Sequence, residues 1–264
     1  MEQLEGAFLS KKKDGSIYYR SSVTYKGKHI SLGSYHSALL AHKAYLEANR
    51  ILRDPLIPAL TDYTSQNTLP FTKWVVLLNF RINKLYFSTP IYIRPYYFYY
   101  YYSYELVLKF DIDDLFYYAS HKIMKRGGHL FVADFGMQVN ILNRYGIKNY
   151  AVLGRDYCFR NEDPTDFRRE NLIIKNKYHG VVMTHKKNLV QYSARIHVKG
   201  NYLIGTYASM EEAAIAYNKA IDILKRNGCK KNYVPNYLED VPAAIYADIY
   251  TKLPVSLKLA SLFF

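Results

Sequence analysis

Cysteine is scarce in this sequence. Two occur in 264 residues, Cys158 and Cys229. They give neither a metal-ligand spacing nor a disulfide framework. Such sparse usage fits a reducing, cytoplasm-like compartment, nucleoid-associated in a bacterium or nuclear in a eukaryote. Long hydrophobic runs are also missing. The longest, at 74–80 and 257–264, fall far short of the roughly 20 residues a membrane helix needs. Residues 1–6 are acidic and hold no apolar stretch, so no secretory signal and no membrane partner are expected. Acidic residues are in deficit too. Against 36 Lys and Arg stand 22 Asp and Glu, a net charge of +14 with a pI near 9.5. That imbalance favours a polyanionic partner, nucleic acid above all. Half the residues are hydrophobic, which excludes a disordered chain and leaves ample core for one large or two to three small domains.

What is present first is a repeat. Residues 6–45 and 180–217 parallel one another. Gly6 pairs with Gly180, Tyr19 with Tyr192 and Val23 with Ile196. Gly33 pairs with Gly205, Tyr35 with Tyr207, Ala41 with Ala213 and Tyr45 with Tyr217. Two copies are too few for a solenoid. Two like modules suit two-site binding, which raises avidity when both engage.

Each copy reads as three strands and a helix. In the second, Tyr192, Ala194, Ile196 and Val198 alternate with Ser193, Arg195, His197 and Lys199, the period of a half-buried strand. Lys199-Gly200-Asn201 signals a tight turn. Ser209-Met210-Glu211-Glu212 is a capping box. Ala213, Ala216, Tyr217, Ala220, Ile221 and Leu224 then give one apolar helical stripe. With a helix on one sheet face, the other is free. Its outward positions are Thr184, Lys186, Ser193, Arg195 and His197, continued by Asn201 and Leu203. Between 176 and 231, ten Lys/Arg against three Asp/Glu give +7, half the chain's net charge. Such a sheet suits the DNA major groove, which admits β-structure.

Residues 178–226 resemble the AP2-type DNA-binding domain. The elements that carry the resemblance are Tyr178-His179-Gly180-Val181, the strand at 192–197, Leu203-Ile204-Gly205-Thr206-Tyr207 and the helix start at 211–217. Residues 17–50 resemble it more weakly, through Leu32-Gly33-Ser34-Tyr35 and 41–45. The resemblance implies base reading at Arg195, His197, Asn201 and Leu203, and at Ser22, Thr24, His29 and Ser31 in the first copy. Most of the family's Arg and Trp readers are missing from these positions. Lys11, Lys12, Lys13, Lys26, Lys28, Lys186, Lys187 and Lys199 are candidate phosphate contacts, and Arg20 joins the candidate DNA contacts. Phosphate contacts set affinity rather than sequence preference.

Between the copies lies a different composition. The tyrosine-dense stretch at 92–104 reads as a core or interface strand in preference to a base-stacking platform, having one basic residue, Arg94. Asp111, Asp113 and Asp114 read as a helix start rather than a metal trio. Gly127-Gly128 reads as a turn. Asp134-Phe135-Gly136 imitates a kinase tripeptide without the accompanying loops. Residues 158–172 resemble the core of HNH homing endonucleases, through Asn161-x-Asp163-Pro164-x-Asp166 and an Arg168-Arg169-Glu170-Asn171-Leu172 helix. That chemistry needs a His base and His/Asn/Asp metal ligands. The paired histidines fall here on Cys158 and Phe159, and a ligand position on Phe167. A nuclease scaffold without its site is inferred; Asp156, His121 and His129 have no spacing that rebuilds one.

The expected fold is α+β, two small modules of three-stranded antiparallel sheet plus packed helix flanking an HNH-like centre. The expected boundaries are a first module at 1–54, a linker at 55–84, the centre at 85–175, a second module at 176–231 and a tail at 232–264. The tail has a short helix pattern at 242–250 and an apolar end. The expected function is non-catalytic binding of double-stranded DNA, as a regulator or mobile-element-derived protein. No catalytic residue, metal or cofactor is assigned. The alternatives are an active HNH endonuclease with AP2-type targeting modules and a structural RNA-binding protein.

Overall fold

The computed structural model describes residues 4–54, 56, 59–186 and 189–264. The fold is α+β, with small antiparallel sheets accompanied by a few helices. No helix among the described residues is long and apolar enough to cross a membrane. The chain divides into two compact units, Met1–Ile141 with Asp163–Arg169, and Leu142–Glu162 with Glu170–Phe264. The segment 85–175, expected as a central domain, spans both units. Its residues are shared between the two units.

The first unit opens with the first repeat copy. Strands β1 (Ala7–Lys11), β2 (Ile17–Tyr25) and β3 (Lys28–Tyr35) pair antiparallel in chain order, and helix α1 (Ala38–Arg53) follows. Lys26 and Gly27 both take positive φ, 45° and 75°, as a two-residue type I′ hairpin turn requires. The Ser37 hydroxyl accepts the Leu40 amide and starts α1. Ala41, Ala44 and Ala48 are fully buried, so α1 lies close against the sheet.

Segment 55–84, expected as a linker, instead carries helix α2 (Phe71–Asn83), with every residue from Trp74 to Phe80 buried. It shares one core with Val23, Ile51 and Leu52 of the first copy. An apolar run without a polar face buries itself on all sides, and α2 does so between neighbours. Strands β4 (Ile91–Ile93), β5 (Tyr97–Tyr101) and β6 (Val107–Asp111) form the next sheet. The tyrosine-dense stretch is its central strand. Phe98 and Tyr100 are buried on one face, Phe98 beside Phe110 at 5.5 Å between ring centroids. Tyr99 and Tyr101 pack on the α2 core from the other face. The three acids precede helix α3 (Leu115–Ser120) through a 3-10 turn. Strands β7 (Met124–Arg126), β8 (His129–Asp134) and β9 (Met137–Asn140) follow, with Gly127-Gly128 as the first turn.

The second unit holds the hairpin β10 (Tyr157–Phe159) and β11 (Leu172–Ile174), then the second copy. Strands β12 (Val181–Lys186), β13 (Leu189–His197) and β14 (Asn201–Tyr207) pair in chain order, and helix α4 (Met210–Arg226) covers one face. The capping box forms reciprocally, with Ser209 Oγ accepting the Glu212 amide and Glu212 Oε2 accepting the Ser209 amide. The tail is part of this module. After helix α5 (Ala243–Lys252) comes α6 (Leu257–Ala260), whose Leu259 is fully buried against α4 and the sheet. Lys219 Nζ donates to the carbonyls of Tyr250 and Leu253, and Asn218 and Asn236 exchange two hydrogen bonds.

The two copies share one frame down to an irregularity. Register shifts between Ser21 and Ser22 in the first and between Ala194 and Arg195 in the second. Each shift leaves one unpaired residue on the third strand, Leu32 or Ile204, both buried. Each entry glycine sits under the helix tyrosine. A Cβ on Gly6 would lie 2.1 Å from the Tyr45 ring, and one on Gly180 2.5 Å from the Tyr217 ring.

Candidate nucleic-acid interface

The face of the second sheet opposite α4 carries the sequence-predicted site residues. Ala194 and Ile196 of β13 point into the core, so Arg195 and His197 point out. The bulge lets Ile204 enter the core while Leu203 stays outside, 49% exposed. Arg195 is exposed, and its guanidinium has no hydrogen-bond or ion-pair partner among the described residues. Lys186 ends β12, exposed and likewise unpaired among the described residues. His197 Nδ1 meets Asn201 Oδ1 at 2.9 Å across the hairpin, which holds both side chains at its end. Thr184 is half-buried and donates to Gln191 O. Lys199 lies over the Phe264 ring at 5.4 Å.

Ser193 faces outward but is buried; its short side chain sits in the central strand between its register partners Val182 and Thr206 and cannot reach beyond them. Lys187 lies outside the described residues.

Sequence reasoning missed one wall of this face. Val182, Thr184, Arg195, His197 and Asn201 line a groove of about 480 Å³ together with Tyr150, Arg155 and Asp156. Asn176 fixes that wall by donating to Asp156 Oδ1 while accepting the Met183 amide of β12. Burial pushes the Asp156 carboxyl up, but hydrogen bonds from Arg155, the Val152 amide and Asn176 outweigh it and leave the group below its ordinary range. Asp156 is thus a fixed anion already neutralised by Arg155. At the same end, burial holds the His179 imidazole below its ordinary value, and the ring packs between Tyr150 and Tyr217. The one legible signal for the wall was Asn176 standing just ahead of the Tyr178-His179-Gly180 motif.

The first copy presents a matching but different face. Lys11, Lys12, Lys13, Arg20, Lys26, Lys28 and His29 are all exposed. Its central-strand arginine, Arg20, stands at the position of Ser193, and Ser22 stands at the position of Arg195. Each sheet therefore offers one central arginine, displaced by two residues along the strand. Thr24 Oγ1 and His29 Nδ1, 3.4 Å apart, occupy the place of the His197–Asn201 pair. Lys28 is drawn over the Tyr86 ring at 5.0 Å.

The HNH-like segment builds no site. Phe167 is buried and stacks on Phe110 at 5.4 Å. Asp166 is held by Arg168 through three hydrogen bonds, two of them from the guanidinium, and by Lys109, and Asp163 caps its own turn through Thr165. The predicted helix at 168–172 is a single 3-10 turn, Arg169–Asn171, followed directly by β11. Asp156 is committed to Arg155, and His121 to Tyr117 O and Asp134. No group of three or more His, Cys, Asp or Glu among the described residues is placed to hold a metal ion.

No family model, curated protein or solved structure matches this chain. What the face can do rests on its own chemistry. Exposed Lys and Arg side chains on a sheet are the kind of group that can contact phosphates, and an arginine beside an amide and an apolar side chain is the kind that can read base edges.

Proposed function

We propose that this protein is a non-catalytic DNA-binding protein that lays the outward face of β12–β14 into the major groove. The observation that carries this reading is the solvent-facing guanidinium of Arg195, without a partner among the described residues, on the central strand of a three-stranded sheet backed by a helix. Arg195 reads a base edge, His197 and Asn201 flank it at the hairpin end, and Leu203 offers an apolar contact to a thymine methyl. Lys186 and Lys199 meet phosphates and set affinity. The likeness of residues 178–226 to AP2-type domains points the same way. The first sheet, through Arg20 and Lys11–Lys13, adds a second cationic surface of weaker readout. A role in transcription regulation is the natural use of such a protein.

Duplex binding by charge-reversed variants tests it. Arg195→Glu with Lys186→Glu lowers affinity by at least about tenfold, since one good base contact is worth about 1–3 kcal/mol. Unchanged affinity removes this face from the account. Selection from a random duplex pool returns a short common sequence with the native protein and a looser one with Arg195→Ala.

A further inference from the structure

The first unit holds a second basic feature, far in sequence from the strands discussed above. A pocket of about 830 Å³ opens beside the first turns of α2, bounded by 88–90, Tyr100, Tyr102, Ser120, 122–126 and Phe131. Four cations line it, Lys73, Lys122, Lys125 and Arg126, and no Asp or Glu among the described residues does. Its walls are built by committed polar groups. Tyr100 OH accepts the Ile123 amide, and Thr89 Oγ1 donates to Ala119 O. Tyr102 and Phe131, both only half-buried, contribute aromatic surface.

We propose that this pocket binds a nucleotide, its phosphates on the four cations and its base against Tyr102 and Phe131. Several positive charges without a carboxylate call for a ligand with several negative charges. Aromatic faces in the same pocket call for a planar ring, as base-stacking surfaces do. The volume is that of a small-molecule site. Lys73 adds an argument from cost. It is half-buried beside Trp74, burial depresses its ammonium, and it has no partner among the described residues. A desolvated, unpaired cation destabilises the fold unless an anion arrives. The ligand can be a free nucleoside triphosphate or one nucleotide of a single strand; the chemistry is shared, and the faces of β1–β3 and β12–β14 do not line the pocket.

Calorimetric titration of the full chain with ATP, inorganic tripolyphosphate and a short oligothymidylate tests this. ATP or the oligothymidylate binds, and whichever binds more tightly names the source. Lys122→Gln with Arg126→Gln, both at exposed positions, weakens that binding by at least about tenfold through lost charge-assisted contacts. Lys73→Met weakens it as well while raising the melting temperature, because the variant no longer buries an unpaired charge. Absence of binding by both nucleotides, or equal binding by the Lys122/Arg126 variant, overturns the proposal. Tripolyphosphate binding as tightly as ATP overturns the aromatic half of it, and a fall in melting temperature for Lys73→Met overturns the argument from Lys73.

Discussion

Replacing Gly180 with alanine separates two costs that the repeat combines. At φ +72° an added Cβ lies 2.5 Å from the Tyr217 ring and 2.5 Å from Arg195 O. The carbonyl belongs to β13, whose Arg195 amide donates to Gly180 O, so it cannot retreat without loosening the sheet. The left-handed backbone alone costs an L residue about 1–2 kcal/mol. Forcing a methyl into filled space adds about 1–3 kcal/mol. Gly27 provides the control, with φ +75° and nothing within 4 Å of an added Cβ. Gly27→Ala should therefore show the backbone cost only, and Gly180→Ala about 1–3 kcal/mol more. Urea unfolding followed by circular dichroism reads both. In the first copy, the nearest atoms to a Cβ on Gly6 all belong to Tyr45. A double-mutant cycle of Gly6→Ala with Tyr45→Ala should return a coupling of about 1–3 kcal/mol. Equal losses for Gly180→Ala and Gly27→Ala, or no coupling in the cycle, would refute the claim that the glycine–tyrosine pairs are steric partners.

Other expectations follow from single contacts. Burial holds His179 below its ordinary pKa of 6.5, so as pH falls through 6.5 the unfolded chain binds a proton that the folded chain refuses. Its contribution is full above pH 6.5 and declines below. The second unit should lose stability as pH falls below 6.5, and His179→Gln should flatten that slope; a slope the same in both proteins rejects the assignment. Ser209→Ala removes the α4 cap and should cost about 1 kcal/mol, read in the same urea assay. Leu259→Ala should cost about 2–5 kcal/mol if the tail completes the core, whereas a loosely laid tail would show almost none. Supercoiled plasmid incubated with Mg²⁺ or Mn²⁺ should remain intact, and nicking abolished by EDTA would restore the nuclease reading.

Much of the second module was legible because each local signal had one physical meaning. The alternation at 192–198, the Ser209 box and the alanine stripe gave strand, cap and helix face, and all three stand in the structure. The repeat alignment was legible for the same reason, since Gly6 with Tyr45 and Gly180 with Tyr217 are one steric solution used twice. Segment 55–84 was misread because the run Trp74–Phe80 of α2 is buried on every side. Periodicity reports a boundary between core and solvent, and a helix enclosed by protein has none. The tail was opaque for a related reason: Leu259 and the Asn218–Asn236 exchange are contacts distant in sequence. Ser193 kept the parity of an outward residue but lost its exposure to longer neighbours, which alternation cannot reveal. The groove wall at 150–156 depends on Asn176 bridging two segments, a long-range contact that composition and spacing do not report.

We propose duplex DNA as the partner of the β12–β14 sheet face, held by charge and by base contacts. Affinity for duplex DNA measured across salt concentrations tests it most directly. Log K should fall linearly with log salt at about 0.9 per phosphate contact, Lys186→Gln should flatten the slope by about one contact, and Arg195→Ala should weaken binding at every salt concentration. Affinity independent of salt, or no duplex binding at all, would contradict it.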